Sequence, residues 1–356
     1  MTEIISSSRG SGSINTALCS FGMSGLVFHA TFIHANPGFN FYGVWERSKR
    51  NAATIYPEVI SFDSMEDMLA DEAIELVIVN TPNYTHFEFA KKALQAGKHV
   101  LVEKSFTVTV SEAKELIRIA KEKGRQLAVF QNRRYDSDFK TVKDVVDREL
   151  LGDIIEAEIH FDRYKPQLSL KQHKETALPG SGLLHDLGPH IIDQALFLFG
   201  MPENVFGFIK ATRPGSQVND YFDITLFYKT FTVRLKSSLL VKEILPAYIL
   251  HGAKGSFIKD RADIQEDILK AGMKPGVAGW GTEPVSAKGI LNLESGRSSI
   301  ESLQGNYMDF FDGLHEAIVH GKPLPVSAED GLNVMRVIEA VLESNKTKAA
   351  VPITNN

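Results

Sequence analysis

Between residues 14 and 131, short apolar runs alternate with amphipathic stretches, and this alternation limits the fold more than any other feature. Strands are expected at 14–22, 39–46, 59–61, 76–80, 99–103 and 127–131, with helices at 26–35, 48–55, 64–70, 84–96 and 111–123 between them. Strands that are apolar at nearly every position need cover on both faces, which predicts a parallel sheet between two helix layers. Ligands of such sheets sit beyond the strand carboxyl ends. Here those ends are polar: Glu46, Asn80-Thr81-Pro82-Asn83, Glu103-Lys104-Ser105 and Gln131-Asn132-Arg133. Shared polarity at every strand end points to a dinucleotide site.

The first strand runs into Ser20-Phe21-Gly22-Met23-Ser24-Gly25, which aligns with G-x-G-x-x-G except for serine at the first glycine. In that motif the turn brings backbone N–H groups to a pyrophosphate at a helix N-terminus. Gly22 supplies the close approach, Gly25 the helix–strand packing, and Met23 and Ser24 complete the turn. Glu46 ends the second strand, about 20 positions further on, where a carboxylate meets the adenosine ribose. Arg47, Ser48 and Lys49 follow and could hold a 2′-phosphate instead. Both NAD and NADP stay open.

After a linking helix at 138–150 the texture changes. A long alternating strand at 152–164 and a helix at 183–199 precede strands at 204–212, 221–228, 231–241 and 246–251, with no helices between them. That order predicts an antiparallel sheet with one face on a helix. A loop at 260–285 carrying Trp280 is expected to cross the sheet or the cleft. Two short strands near 287–303 and helices at 306–319 and 328–345 close the chain. The expected division is a mobile Ser/Gly-rich leader at 1–13, a dinucleotide-binding domain at 14–135 and a substrate and oligomerisation domain at 136–356, its last helix packing back on the first domain. Tyr221, Phe222, Ile224, Leu226 and Phe227, opposite Phe231, Val233, Leu235 and Leu239, suggest apolar groups on both faces of the second sheet. One helix layer cannot bury both, so a homo-oligomer, dimer or tetramer, is expected through the open face.

The stretch Gly180-Ser181-Gly182 through Asp193 is where chemistry is expected. A helix there would place Asp186, His190 and Asp193 at i, i+4 and i+7, on one face. A carboxylate one turn from an imidazole orients it and stabilises its charged form, as a general base requires. Asp186 and His190 could also be two metal ligands beside His185, but His185 points off that face and no further cluster supports them, so no metal is expected. A formal net charge of −5 offers no footprint for nucleic acid or an anionic membrane. No apolar run approaches the roughly 20 residues of a membrane span. Cys19 is the only cysteine, which excludes a disulfide within the chain and fits a reducing, cytoplasmic location.

Taken together, these features resemble the glucose–fructose oxidoreductase/inositol dehydrogenase (Gfo/Idh/MocA) family. Its E-K-P stands here as Glu103-Lys104-Ser105, and its G-G-G-x-x-x-D-x-G-x-H-x-x-D as residues 180–193 with Ser181 at the second glycine. Serine at 105 is expected to free the peptide geometry that the family's proline often holds cis. The stretches 132–139, 161–166 and 270–281 look most like the NADP-dependent scyllo-inositol dehydrogenases. The resemblance implies an α/β Rossmann-like domain followed by an α+β domain with a large, mostly antiparallel sheet. It further implies that Lys104 and His190 contact a reacting hydroxyl with Asp186 beside them, that Thr81, Pro82, Asn83 and His86 line the cofactor, and that Glu103 sits near the nicotinamide ribose.

The expected reaction is hydride transfer between a secondary alcohol of a sugar or cyclitol and NAD or NADP. His190 is the base, Asp186 sets its tautomer and Lys104 donates to the developing alkoxide; a neutral Lys104 is the alternative base. Arg133, Arg163, Tyr164 and His173 are candidates for binding the polyol, and Asp193 for a structural bond. A nucleotide-bound sensor is the rival reading. The joint presence of Lys104, Asp186 and His190 favours the enzyme.

Overall fold

The computed structural model describes residues 12–47, 50–169 and 175–354. The proposed leader lies almost wholly outside these, as does His173. Six parallel strands form the first sheet: β1 (Ile14–Leu18), β2 (Phe39–Trp45), β3 (Ile60–Phe62), β4 (Leu76–Val79), β5 (His99–Glu103) and β6 (Leu127–Phe130), in the order β3-β2-β1-β4-β5-β6. β4 and β6 are buried at every position. The strand order reverses between β1 and β4, which opens a crevice at their carboxyl ends. There the Ser20 N–H donates to Asn80 Oδ1 at 3.0 Å, and Asn80 Nδ2 donates back to the Ser20 carbonyl at 2.9 Å. The helix expected from Leu26 begins earlier, with a π-helical run Gly25–Ala30 that continues as Thr31–Ala35.

The second sheet has nine strands: β7 (Ile154–His160), β8 (Asn204–Lys210), β9 (Tyr221–Phe227), β10 (Thr232–Ser238), β11 (Tyr248–Gly252), β12 (Gly255–Lys259), β13 (Gly289–Leu293), β14 (Gly296–Ile300) and β15 (Val351–Pro352). Their order is β14-β13-β12-β11-β7-β10-β9-β8-β15, antiparallel except where β7 meets β10. The expected apolar residues divide unequally between the faces. In β9 and β10 the buried set is Phe222, Ile224, Leu226, Val233 and Leu235, and strand register places all five on the helix-covered face. The other face carries Tyr221 and Phe227, both half-buried, among Asp223, Thr225, Thr232, Arg234 and Lys236, with Arg234 bonded to Asp223 at 2.9 and 2.6 Å. The two-residue period separates side chains that a plain count of apolar residues merges.

The later chain returns to the first domain. Trp280 and Tyr307 are buried against Phe32, and Phe310, Phe311 and Leu314 of the helix Met308–His320 join the same core. The segment around Trp280 thus leaves β12, packs on the first domain and returns to β13, and part of it is the helix Gln265–Lys270. The long helix Ala328–Thr347 touches both sheets. Its Glu339 accepts from the Val110 N–H at 2.7 Å, and Ser344 accepts from the Gly207 N–H at 2.9 Å in β8. No described helix is long and apolar enough to cross a membrane.

Between the domains, Arg134 forks onto Asp193 at 2.8 and 2.7 Å and reaches Asp330 at 3.2 Å. Both Arg134 and Asp193 are buried. Removing one partner of a buried pair strands the other charge away from water. Asp193→Ala is therefore expected to lower unfolding stability by about 3–5 kcal/mol, measured by urea denaturation.

Candidate active site

A cleft of about 650 Å³ opens where the carboxyl ends of β1, β4 and β5 face the second domain. Glu103 and Lys104 leave β5 into it. The Lys104–Ser105 peptide is cis, so serine at 105 does not relax the geometry as expected. Lys104 Nζ donates to the Asp186 carbonyl at 2.5 Å and lies 3.3 Å from its Oδ1.

The expected helix at 183–199 is two: Leu183–Asp186 and Gly188–Phe199, broken at Leu187. Pro189 causes the break, because it has no N–H to return to the carbonyl of His185. Asp186 and His190 thus lie on different helical segments. Asp186 grips Lys104, and His190 Nδ1 is buried with no hydrogen-bond partner among the described residues. The expectation that Asp186 sets the His190 tautomer is corrected accordingly. Asp193, third of the expected face, turns away to Arg134.

His190 lines the cleft and is buried. Burial first, then the positive charges of Lys104, Arg133, Arg261 and Arg163, hold its pKa well below the ordinary value of 6.5. The imidazole is neutral at physiological pH and free to accept a proton. Arg133 is more constrained: it bonds Tyr307 Oη at 3.0 Å, and Glu266 and Asp136 sit against its guanidinium.

Both halves of the chain match one family. The pattern of the oxidoreductase family's NAD-binding Rossmann fold matches residues 14–131, and that of its C-terminal alpha/beta domain matches residues 143–353. The chain belongs to the Gfo/Idh/MocA oxidoreductases. It is 36% identical to the scyllo-inositol 2-dehydrogenase (NADP(+)) IolW of Bacillus subtilis, over 99% of both chains. Among solved structures, an oxidoreductase from Bacteroides fragilis is 42% identical with a TM-score of 0.87, covering 96% of this chain and 99% of that one. The oxidoreductase yvaA of Bacillus subtilis is 36% identical with a TM-score of 0.92, covering 97% and 100%. As a Gfo/Idh/MocA member the chain is an NAD(P)-dependent oxidoreductase.

The crevice fits the dinucleotide of this family. A Cβ at Gly25 would stand 2.5 Å from the Ser20 carbonyl and 2.7 Å from Asn80 Nδ2, so only glycine lets the helix pack this closely. A Cβ at Gly22 would project into open space. Gly22, Met23, Ser24, Asn80, Thr81, Pro82, Asn83, Glu103 and Asn132 all line the cleft.

Other expected residues stand elsewhere. Glu46 caps the helix Asn51–Ile55, accepting from the Asn51 and Ala52 N–H groups at 3.2 and 3.0 Å. Arg47 is exposed. His86 is fully buried and bonds the Ser105 and Thr81 carbonyls at 2.7 and 2.8 Å, which ties β4 to β5 behind the cleft rather than lining it. Tyr164 is exposed with Lys242 over its ring. Sequence reasoning missed Asn219, whose side chain accepts from the Leu184 N–H at 2.8 Å at the start of the 183–186 turn. It also missed His29, the one titratable group in the largely apolar run 25–33.

His29 is fully buried and donates to Glu103 Oε1 at 2.9 Å; the Ser24 hydroxyl donates to the same oxygen, and the Lys104 N–H to Oε2 at 3.2 Å. Burial pushes the Glu103 carboxyl up, but His29, Ser24 and Lys104 outweigh it and bring the pKa down to about 2 from an ordinary 4.5. A folded-state pKa below the unfolded one stabilises above the unfolded value and fades as pH falls towards the folded value. Glu103→Gln should therefore cost about 3 kcal/mol at pH 7, with the gap from wild type narrowing between pH 4.5 and 2 in denaturant titrations.

Proposed function

We propose that the chain oxidises a secondary alcohol of a sugar or cyclitol, or reduces the corresponding ketone, with His190 and Lys104 as the catalytic pair. One observation carries this reading: a neutral imidazole and a lysine ammonium line the same cleft as the dinucleotide turn. Alcohol oxidation needs a hydride acceptor, a proton acceptor and a donor to the oxygen as it becomes a carbonyl. NAD(P) supplies the hydride acceptor when bound. His190 takes the hydroxyl proton, and the four cations around it return that proton readily to solvent or substrate. Lys104 donates to the oxygen, and Asp186 holds the lysine by its carbonyl and carboxylate rather than orienting the histidine. The family likeness to a scyllo-inositol 2-dehydrogenase (NADP(+)) supports a polyol as substrate. Glu46 accepts one backbone N–H on each carboxylate oxygen and keeps a lone pair on each, so it leaves both NAD and NADP open.

The same reading places Arg133 and Arg163 on the substrate side of the cleft. A buried, lone Cys19, its thiol pushed up to about 12 by burial, supports a reducing cytoplasmic setting. It also pairs two copies, or two pairs, through the second sheet. The face away from the helices carries Phe206 and Phe208 in β8, and strand register aligns Ile249, Ile258 and Ile290 across β11, β12 and β13 on that face. They extend Tyr221 and Phe227 of the row first expected in β9, with Phe208 against the Tyr221 ring. Sedimentation at micromolar concentration should give a dimer or tetramer; a monomer there would remove the interface.

His190→Asn should lower turnover by about 10²–10⁴-fold with NADPH affinity retained. Lys104→Met should do comparable damage that higher pH does not rescue. Because the base is already neutral, the acid limb of kcat/KM for oxidation should lie below pH 6.5. Steady-state oxidation of inositols and sugars, beside an NADPH fluorescence titration for each variant, measures all three. Full activity in His190→Asn would end the assignment.

A further inference from the structure

Arg163 follows β7 and lines two cavities at once, the cleft and a second space of about 410 Å³ beside Phe161, Ile244 and Leu245. Its backbone is fastened, the N–H to the Ser238 carbonyl at 2.9 Å and the carbonyl to the Val241 N–H at 3.1 Å. Its guanidinium carbon stands 4.9 Å from the centre of the Phe161 ring. The guanidinium itself makes no hydrogen bond and no ion pair among the described residues.

Its neighbours are matched. Lys104 has Asp186, Arg133 has Asp136 and Glu266, and Arg213 has Glu175 and Asp220. Arg261 also stands over the Phe161 ring, 4.1 Å from its centre, but its Nη1 reaches Asp136 at 3.9 Å and its Nη2 donates to the His160 carbonyl at 3.3 Å. Of the guanidinium groups over this ring, Arg133 and Arg261 thus have carboxylate partners, and Arg163 has none among the described residues. Burial lowers the Arg163 pKa first; Asp186 and Glu266 work to raise it and Arg133 and Arg261 to lower it, and the balance falls below the ordinary value. A guanidinium held partly out of water without an anion is costly, and a protein rarely keeps one unless a ligand completes it.

We propose that the substrate carries an anionic group, a carboxylate or a phosphate, and that Arg163 receives it in the cleft wall. A polyol hydroxyl can accept from a guanidinium, but it leaves the positive charge uncancelled. A pair of carboxylate or phosphate oxygens matches both the planar fork and the charge. The inference rests on the dehydrogenase reading for what is done to the alcohol, while the charge assignment is tested by binding alone.

The probes are D-glucose, D-glucuronate and D-glucose 6-phosphate, titrated calorimetrically into the wild-type enzyme saturated with NADP. A hydrogen bond to a charged group corresponds to about ten- to a hundredfold in affinity. The expected result is that glucuronate, the phosphate ester or both bind at least about tenfold more tightly than glucose. Which of the two wins identifies the anion as carboxylate or phosphate. Arg163→Gln should erase that preference, and Arg163→Lys, which keeps the charge, should retain part of it. An NADPH titration of each variant reports that the fold survives, and the wild-type comparison needs no variant.

Equal or tighter binding of glucose in the wild type overturns the proposal, as does an equal loss for charged and neutral probes in Arg163→Gln. So does failure of both anions to bind. Absorbance assays with the same panel separate the two readings. Anion preference without any turnover would remove the dehydrogenase and leave the charge assignment. Turnover of neutral polyols without anion preference would do the reverse.

Discussion

The contact between Lys104 and Asp186 joins the two domains at the point where the chemistry is assigned. The lysine comes from the end of a parallel strand, and the aspartate from a single helical turn of the second domain. A carbonyl at 2.5 Å and a carboxylate oxygen at 3.3 Å fix the ammonium on one side. A flexible side chain with four rotatable bonds would otherwise spend most of its time elsewhere, and holding it lowers the entropy lost when it meets a substrate oxygen. Glu103 beside it does for the nucleotide turn what Asp186 does for the lysine. It gathers Ser24, His29 and the Lys104 N–H onto one carboxylate. From one strand end, adjacent residues thus reach both domains.

Those contacts depend on the cleft walls staying in register, and the packing of the later chain provides this. Trp280, Tyr307 and Phe310 belong to the core of the first sheet although most of the second sheet's strands precede them in sequence. The helix Ala328–Thr347 bonds Val110 on one side and Gly207 on the other. Arg134, fixed by Asp193 and Asp330, ties the linker to the helix that carries His190 and to the start of that long helix. Separating the domains would expose apolar surface and unpair buried charges together. The price of such an opening is high, so the spacing between nucleotide turn and substrate wall is stiff.

The electrostatics of the site follow from that stiffness. His190 stands among four cations and is largely buried in the cleft wall, which keeps it neutral. Asp186, which sequence spacing aligned with the histidine, is drawn to the nearer ammonium instead. Lysine positive and histidine neutral is the division that a proton acceptor beside an oxygen-polarising donor requires.

Much of this was legible in the sequence because it depends on local order. Period and length marked the last five strands of the first sheet to within about one residue and ran the first four residues too long, since runs apolar at every position can only be covered on both sides. The glycine turn could be read from its spacing after the first strand, Lys104 from its place at a strand end within Glu103-Lys104-Ser105, and Asp186 and His190 because the motif at 180–193 is long. Partner choice was not legible. Glu46 caps a helix, His86 spans two carbonyls, His29 completes Glu103, and most apolar residues of β9 and β10 fall on the helix-covered face. Each of these depends on how far apart two remote segments come to rest, and spacing along the chain carries no such distance. Proline at 189 was in plain sight, yet its effect on the Asp186–His190 pair emerged only when the helix had Lys104 to turn towards. The sequence determined which groups reach the cleft; tertiary packing decided which of them touch, because charge and hydrogen bonding act over a few ångströms that only the folded chain sets.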